Sequence, residues 1–284
     1  MNPIDGRAIA ASLRAETESA AAELRAGGTA PTLAIVVPTQ DEATLWYVRS
    51  LTKTAQRVGV EVRVEELSEA TGAAVCRRLT ELSDDPAVHG VMCQTPLPEG
   101  TSLPEVGAYI APDKDVDGAN PTSLGKLVAG LPAFVPATAT AVMEILRRSG
   151  VPLRGARAVV VGRSIVVGKP AALLLTAAHA TVTVCHTRTA DLAAECARAD
   201  VLVVAAGRPK MVGADHVKPG AVVVDVGTNP TPDGGLVGDV DDGALAGIDG
   251  ALTPVPGGVG PVTTAVLLRN TVHAALSPPG MLEG

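Results

Sequence analysis

Only four of the 284 side chains are aromatic: Trp46, Tyr47, Tyr109 and Phe134. A core must therefore be filled by Val, Ala and Leu. Short runs of that kind suit parallel strands covered by helices. The chain is 46% hydrophobic and 19% charged, which is enough apolar material to exclude a disordered class. Its length suggests about two domains. Glycine (30) and proline (22) are abundant but follow no short repeat, so collagen-like and linker classes fall away. A net charge of −7 and few rings for base stacking exclude a nucleic-acid partner from the expectation.

Cys76, Cys93, Cys185 and Cys196 form no C-x-x-C pair. Neither a zinc site nor a disulfide framework is expected, and no metal is assigned. The opening MNPIDGRAIA lacks the apolar stretch of a secretory signal. The longest apolar runs, such as Val201 to Ala206, are far too short to cross a bilayer. A cytoplasmic setting without a membrane partner is the expectation.

The apolar pattern alternates between helix and strand. A helix is expected from Ile4 to about Arg25, with Ile9, Leu13, Ala20 and Leu24 near one stripe. Thr32 to Val37 reads as a strand, and Ala43 to Val58 as a helix with Trp46, Leu51, Ala55 and Val58 among its apolar positions. Val60–Leu67, Glu69–Leu82 and Val88–Gln94 continue as strand, helix and buried strand. This is the order of a helix-covered parallel sheet. From Pro98 to Pro136 the chain reads as a long irregular loop, a frequent place for function. A helix over Thr138–Arg148 leads into a second domain spanning 140–261. The last helix, about Val262–Leu276, returns to the first domain, which comprises 1–139 and 262–284. The tail Ser277–Gly284 is expected to fray.

The second domain carries a nucleotide signal. Strand Ala156–Val161 runs into Gly162-Arg163-Ser164-Ile165-Val166-Val167-Gly168, then a helix at about Lys169–Ala178 and a strand at Thr181–Cys185. This is the context of a dinucleotide fingerprint, here with two glycines rather than three. Gly162 would allow the tight turn, and Gly168 would let a pyrophosphate approach the helix start. An ordinary glycine-containing turn fits the loop equally well. The second strand ends in Cys185-His186-Thr187-Arg188-Thr189, without the acid that would bind a ribose 2′-hydroxyl. Arg163 and Arg188 could pair with a 2′-phosphate, so NADP is favoured over NAD.

Several motifs in order resemble those of the methylenetetrahydrofolate dehydrogenase/cyclohydrolase family, often called FolD. Asp115-Val116-Asp117-Gly118, after Pro112-Asp113-Lys114, resembles its folate signature. Gly162-Arg163-Ser164 with Val167-Gly168 and Pro170 resembles its cofactor loop. Thr253-Pro254-Val255-Pro256-Gly257-Gly258-Val259-Gly260-Pro261 is similar to its most distinctive motif. Gln94-Thr95-Pro96-Leu97-Pro98 and Val237-Gly238-Asp239-Val240 also match, and the likeness runs from Ile4 to about residue 275. It implies an α/β fold of two domains, an N-terminal α/β folate/catalytic domain and a C-terminal Rossmann-like NADP-binding domain, with a cleft between them. It also implies a tetrahydrofolate substrate and a homodimer. Tyr47, Gln94 and Asp117 would be catalytic and touch the folate, together with Pro254, Gly257 and Gly258. Gly162, Arg163, Ser164, Gly168, His186, Thr187, Arg188 and Thr228 would bind NADP. A carboxylate such as Asp117 can accept two parallel N–H bonds from the pterin's aminopyrimidine edge.

Two departures stand out. The family pattern Tyr-x-x-x-Lys places phenol and ammonium on one helix face, but the residue four after Tyr47 is Leu51. Lys53 lies roughly 240° round the helix from Tyr47. Pro136-Ala137-Thr138-Ala139 stands where the family has Pro-Cys-Thr-Pro. Hydride transfer draws its driving force from the folate nitrogens, whereas ring opening by water needs proton management. The expectation is an NADP-dependent methylenetetrahydrofolate dehydrogenase whose cyclohydrolase step is weak or lost. A fully bifunctional enzyme, a non-catalytic folate- and NADP-binding paralogue and a shikimate-dehydrogenase-like enzyme are the alternatives.

Overall fold

The computed structural model describes residues 1–67 and 70–276. In chain order the elements are β1 (Asn2–Pro3), α1 (Gly6–Ala26), β2 (Thr32–Val37), α2 (Glu42–Arg57), β3 (Glu61–Glu66), α3 (Gly72–Asp84), β4 (Gly90–Cys93), α4 (Leu103–Gly107) and α5 (Pro121–Val128). They continue as α6 (Ala137–Arg148), β5 (Arg157–Val161), α7 (Gly168–Ala177), β6 (Thr181–Cys185), α8 (Leu192–Cys196), β7 (Val201–Val204), β8 (Ala221–Asp225), β9 (Asn229–Pro230), β10 (Leu236–Val237), β11 (Gly250–Leu252) and α9 (Val259–Leu276). Two compact units result. One joins Ser12–Ala137 to the chain from Thr264 onward, and the other joins Met1–Ala11 to Thr138–Thr263.

The unit built on residues 12–137 holds a parallel sheet in the order β3-β2-β4. All six residues of the central strand β2 are buried, as its unbroken apolar run requires. Val75, Leu79 and Leu82 of α3 pack with Ala34, Val36 and Val91 in one aliphatic cluster. Each fully buried Leu or Val there contributes roughly 1.5–3 kcal/mol. Phe134 is the one fully buried aromatic residue of the chain, edge-on to His273. Trp46 and Tyr109 are exposed, so the core is aliphatic as the composition demands.

The other unit holds a parallel sheet in the order β1-β11-β8-β7-β5-β6. Numbering β5, β6, β7, β8 and β11 from one to five gives the doubly wound order 2-1-3-4-5. In sheets of that order the ligand crevice lies where the strand order reverses, at the carboxyl ends of β5 and β7.

Strand pairing sets the grouping of the N-terminus, and two element expectations are corrected. The first eleven residues, expected with residues 12–139, cluster with Thr138–Thr263, where β1 pairs in parallel with β11, Asn2 opposite Ala251. The unit boundaries fall at 137/138 and 263/264. The stretch 98–136, expected to be irregular, contains α4 and α5. Asn120 caps α5 by accepting from the Thr122 N–H at 2.6 Å, with Pro121 in the first turn. On α1 the buried stripe is Ala10, Leu13, Thr17 and Ala21 rather than the one through Ala20 and Leu24. Thr17 can join it because its hydroxyl donates to the Leu13 carbonyl at 2.7 Å. The expected start of the third helix at Glu69 and the tail Ser277–Gly284 lie outside the described residues. No described helix is long and apolar enough to cross a membrane.

Candidate active site

In the first unit, polar residues gather beyond the carboxyl ends of β2 and β4. Asp41 caps α2, accepting from the Thr44 N–H at 2.8 Å. The Thr44 hydroxyl donates to the Thr95 carbonyl at 2.9 Å, which ties the start of α2 to the loop that carries Gln94. Gln94 is half-buried directly after β4, its N–H donating to the Val36 carbonyl at 2.8 Å. One turn into α2, Tyr47 is half-buried, hydrogen-bonded to the Thr264 side chain and close enough to Asp117 to feel its charge. Burial first, and the Asp117 charge second, push the phenol up to about 12. At neutral pH Tyr47 therefore keeps its proton and is a hydrogen-bond donor.

The two carboxylates of Asp115-Val116-Asp117 differ in their partners. Asp115 is fully buried and accepts from the N–H groups of Ala119 (2.8 Å) and Asn120 (2.9 Å) and the Ser123 hydroxyl (2.8 Å). It organises the turn into α5. Asp117 is half-buried and accepts no hydrogen bond among the described residues. Desolvation pushes its carboxyl up to about 7. A desolvated carboxylate without protein donors is suited to accept hydrogen bonds from a ligand.

Leu51 lies on the same side of α2 as Tyr47 but is only 1% exposed. It is packed among apolar neighbours one turn after Tyr47. Arg49 and Lys53 are exposed on other faces of this helix. Ala137 and Ala139 are buried as well.

In the second unit, Gly162 follows β5 directly at φ 131°, in the region that favours glycine. A Cβ there would meet the Ala205 carbonyl, at the end of β7. Gly168 is buried against the Gly162 carbonyl. Its bare Cα is thus required by packing within the loop. The Ser164 hydroxyl oxygen accepts from the N–H groups of Val167 (3.2 Å) and Gly168 (3.4 Å), leaving its proton free to donate. After β6, His186 Nδ1 accepts from the Arg188 N–H at 3.1 Å, and the Thr189 hydroxyl accepts from the His186 N–H at 2.9 Å. Arg163, Thr187 and Arg188 are exposed, and the two arginines form no ion pair among the described residues. Thr228 is exposed beyond β8.

The Gly/Pro loop is anchored by buried Thr253, whose hydroxyl accepts from the Asp225 N–H at 2.8 Å. Gly258 is buried with its carbonyl against Gly6, while Pro254 and Gly257 are half-buried. The Arg7 guanidinium lies over Gly257, where a Cβ would come within 3.2 Å of its Nε. Sequence reasoning missed three groups: Thr264, Arg7 and the buried pair Asp225 and Asp239. Arg7 lies three residues after Ile4, where the likeness to the family begins, and was within reach of the motif reading. Thr264, one of three threonines on an apolar helix, gives no such signal.

A parallel α/β unit with a glycine loop at its strand reversal, joined to a second α/β unit bearing a desolvated carboxylate, defines a two-domain dehydrogenase-type protein. Residues 4–117 match the tetrahydrofolate dehydrogenase/cyclohydrolase catalytic domain, and residues 136–278 match that family's NAD(P)-binding domain. The chain belongs to this family. It is 59% identical to the bifunctional protein FolD of Parafrankia sp. (strain EAN1pec) over 275 residues, covering 97% of this chain and 99% of the relative. Among solved structures, the bifunctional FolD enzyme of Campylobacter jejuni superposes with a TM-score of 0.94 at 38% identity, covering 97% of this chain and 99% of that one. The Trypanosoma brucei methylenetetrahydrofolate dehydrogenase-cyclohydrolase, solved with NADP and an inhibitor, gives 0.91 at 38% identity over 96% and 97% of the two chains.

Proposed function

We propose that this protein oxidises 5,10-methylenetetrahydrofolate to 5,10-methenyltetrahydrofolate with NADP, and that the ring-opening step of its bifunctional relatives is weak or lost. The observation that carries the second half is the face of α2: Tyr47 is followed one turn later by buried Leu51, and both nearby cations point elsewhere. Asp117, ionised, accepts two N–H bonds from the pterin edge, and Tyr47 and Gln94 supply hydrogen bonds beside it. The second unit suits a nucleotide with a 2′-phosphate, because Gly162 opens the strand reversal and Arg163 and Arg188 stand free of acids. NADP supplies the hydride acceptor. Loss of hydride from the methylene carbon leaves an amidinium cation shared by two folate nitrogens, so the protein's task is orientation. Ring opening instead adds water to that cation, and a proton must leave the attacking oxygen. Leucine cannot take it, and loss of a general acid–base group costs ~10²–10⁴-fold.

A non-catalytic folate- and NADP-binding paralogue would keep the same binding residues and is told apart by the absence of NADPH formation. A homodimer in the cytoplasm rests on the family resemblance alone. The reading is tested by following NADPH formation from methylenetetrahydrofolate. We expect turnover, with kcat/KM for NADP about tenfold or more above that for NAD and the preference reduced in Arg163→Ala. Absence of NADPH formation would sink the reading, and equal use of NAD and NADP would sink the assignment of the arginines.

A further inference from the structure

Two buried aspartates of the second unit have no part in the chemistry above, yet each is densely hydrogen-bonded. Asp239 accepts from three consecutive backbone N–H groups, Ala206 (2.7 Å), Gly207 (2.8 Å) and Arg208 (2.8 Å), and from Asn229 Nδ2 (2.9 Å). Asp225 accepts from the N–H groups of Gly227 (2.9 Å), Asp239 (3.0 Å) and Val240 (2.9 Å). The two interlock, since one carboxylate holds the other's backbone. Both are nearly sealed from water, at 3% exposure for Asp225 and none for Asp239. The fit leaves no slack: a Cβ on Gly238 would strike the Asp225 carboxylate, and one on Gly227 the Asp239 carboxylate.

We propose that Asp239, braced by Asp225, is a positioning residue for cofactor binding, setting the backbone of residues 205–208 and 226–229 beyond β7 and β8. The proposal rests on the reading that this unit binds NADP. The first of these loops borders the strand reversal, because the Ala205 carbonyl is what a side chain at Gly162 would meet. The second carries Thr228, whose two neighbours Gly227 and Asn229 are each tied to one of the aspartates. Phosphate recognition is affected too. The N–H groups of 206–208 are occupied by Asp239, so they form no anion cradle. That task is left to the Gly162 loop with Arg163 and to Arg188 after β6.

A brace of this kind acts on where the loops sit, and misplacement of binding groups by about 1 Å can cost up to ~10²-fold. Asp239→Asn keeps the volume but turns an NH2 group toward the row of donors. It is expected to raise KM for NADP about tenfold or more while KM for methylenetetrahydrofolate stays within about twofold. Asn229→Ala removes one donor to Asp239 and is expected to raise KM for NADP about threefold. Steady-state kinetics well below Tm, with calorimetric NADP binding to the same proteins, reads both. If either variant folds with a lower Tm and an unchanged KM for NADP, the pair is a structural element only and the proposal is overturned. Equal rises in both KM values would overturn it too. Should Asp239→Asn fail to fold, Asn229→Ala decides alone. A wild type that binds no NADP contradicts the underlying reading instead.

Discussion

Asp115 and Asp117 stand two residues apart in one motif and do different work. The first is surrounded by protein donors and holds a turn together; the second has none among the described residues. Burial pushes the Asp117 carboxyl from 3.8 to about 7. A raised carboxyl pKa means that the folded state holds this proton more tightly than the unfolded state does. The penalty for ionising Asp117 is therefore absent below pH 3.8, grows through the window up to about 7, and is complete above it. Asp117→Asn removes that penalty. Its Tm advantage over wild type is expected to grow from near zero at about pH 4 to ~2–6 °C at about pH 8. The same variant is expected to lose folate binding and keep NADP binding, by calorimetry with each ligand. A pH-independent Tm difference would contradict the desolvation argument, and unaltered folate affinity would contradict the role of Asp117. At this scale the motifs make Tyr47, Gln94 and Asp117 legible as candidates. Thr264 and the bracing part of Asp239 are not legible, because they depend on partners that only the folded chain brings near.

The element that matters most is α2. Its register is secured at the N-terminus by the Asp41 cap and the Thr44 bond to Thr95. With that register Leu51 turns inward, and Lys53 is exposed on another face. Lys53→Ala is accordingly expected to leave NADPH formation within about twofold of wild type and to uncover no lost hydrolase, since an exposed substitution away from the site perturbs little. A large loss of ring opening in Lys53→Ala would mean that the register is wrong. The strands Thr32–Val37 and Thr181–Cys185 are readable residue for residue, as short β-branched runs between turn residues. The helix α5 is not, because in the sequence Pro121 looks like a break. Behind a capping Asn120 the same proline begins a helix. Trp46, expected among the apolar positions of α2, is 66% exposed. The buried stripe there runs through Val48, Leu51 and Ala55.

At the scale of the whole molecule, the alternation of strand and helix discloses two parallel α/β units, and the glycine loop discloses which one suits a nucleotide. The pairing of β1 with β11 cannot be read from sequence, because a two-residue strand has no periodicity and its partner lies near the other end of the chain. The matches to both family domains make the family secure, and Leu51 is buried one turn after Tyr47. On the proposed function, the molecule separates two reactions that bifunctional relatives combine. The most direct measurement is the rate of methenyltetrahydrofolate opening by wild type and Leu51→Lys, each set against NADPH formation by the same preparation. The account predicts a wild type that forms NADPH but opens methenyltetrahydrofolate scarcely faster than buffer, and a gain in opening in Leu51→Lys. That gain is limited by the cost of placing an ammonium where a core leucine was. Rapid opening by the wild type would contradict the account.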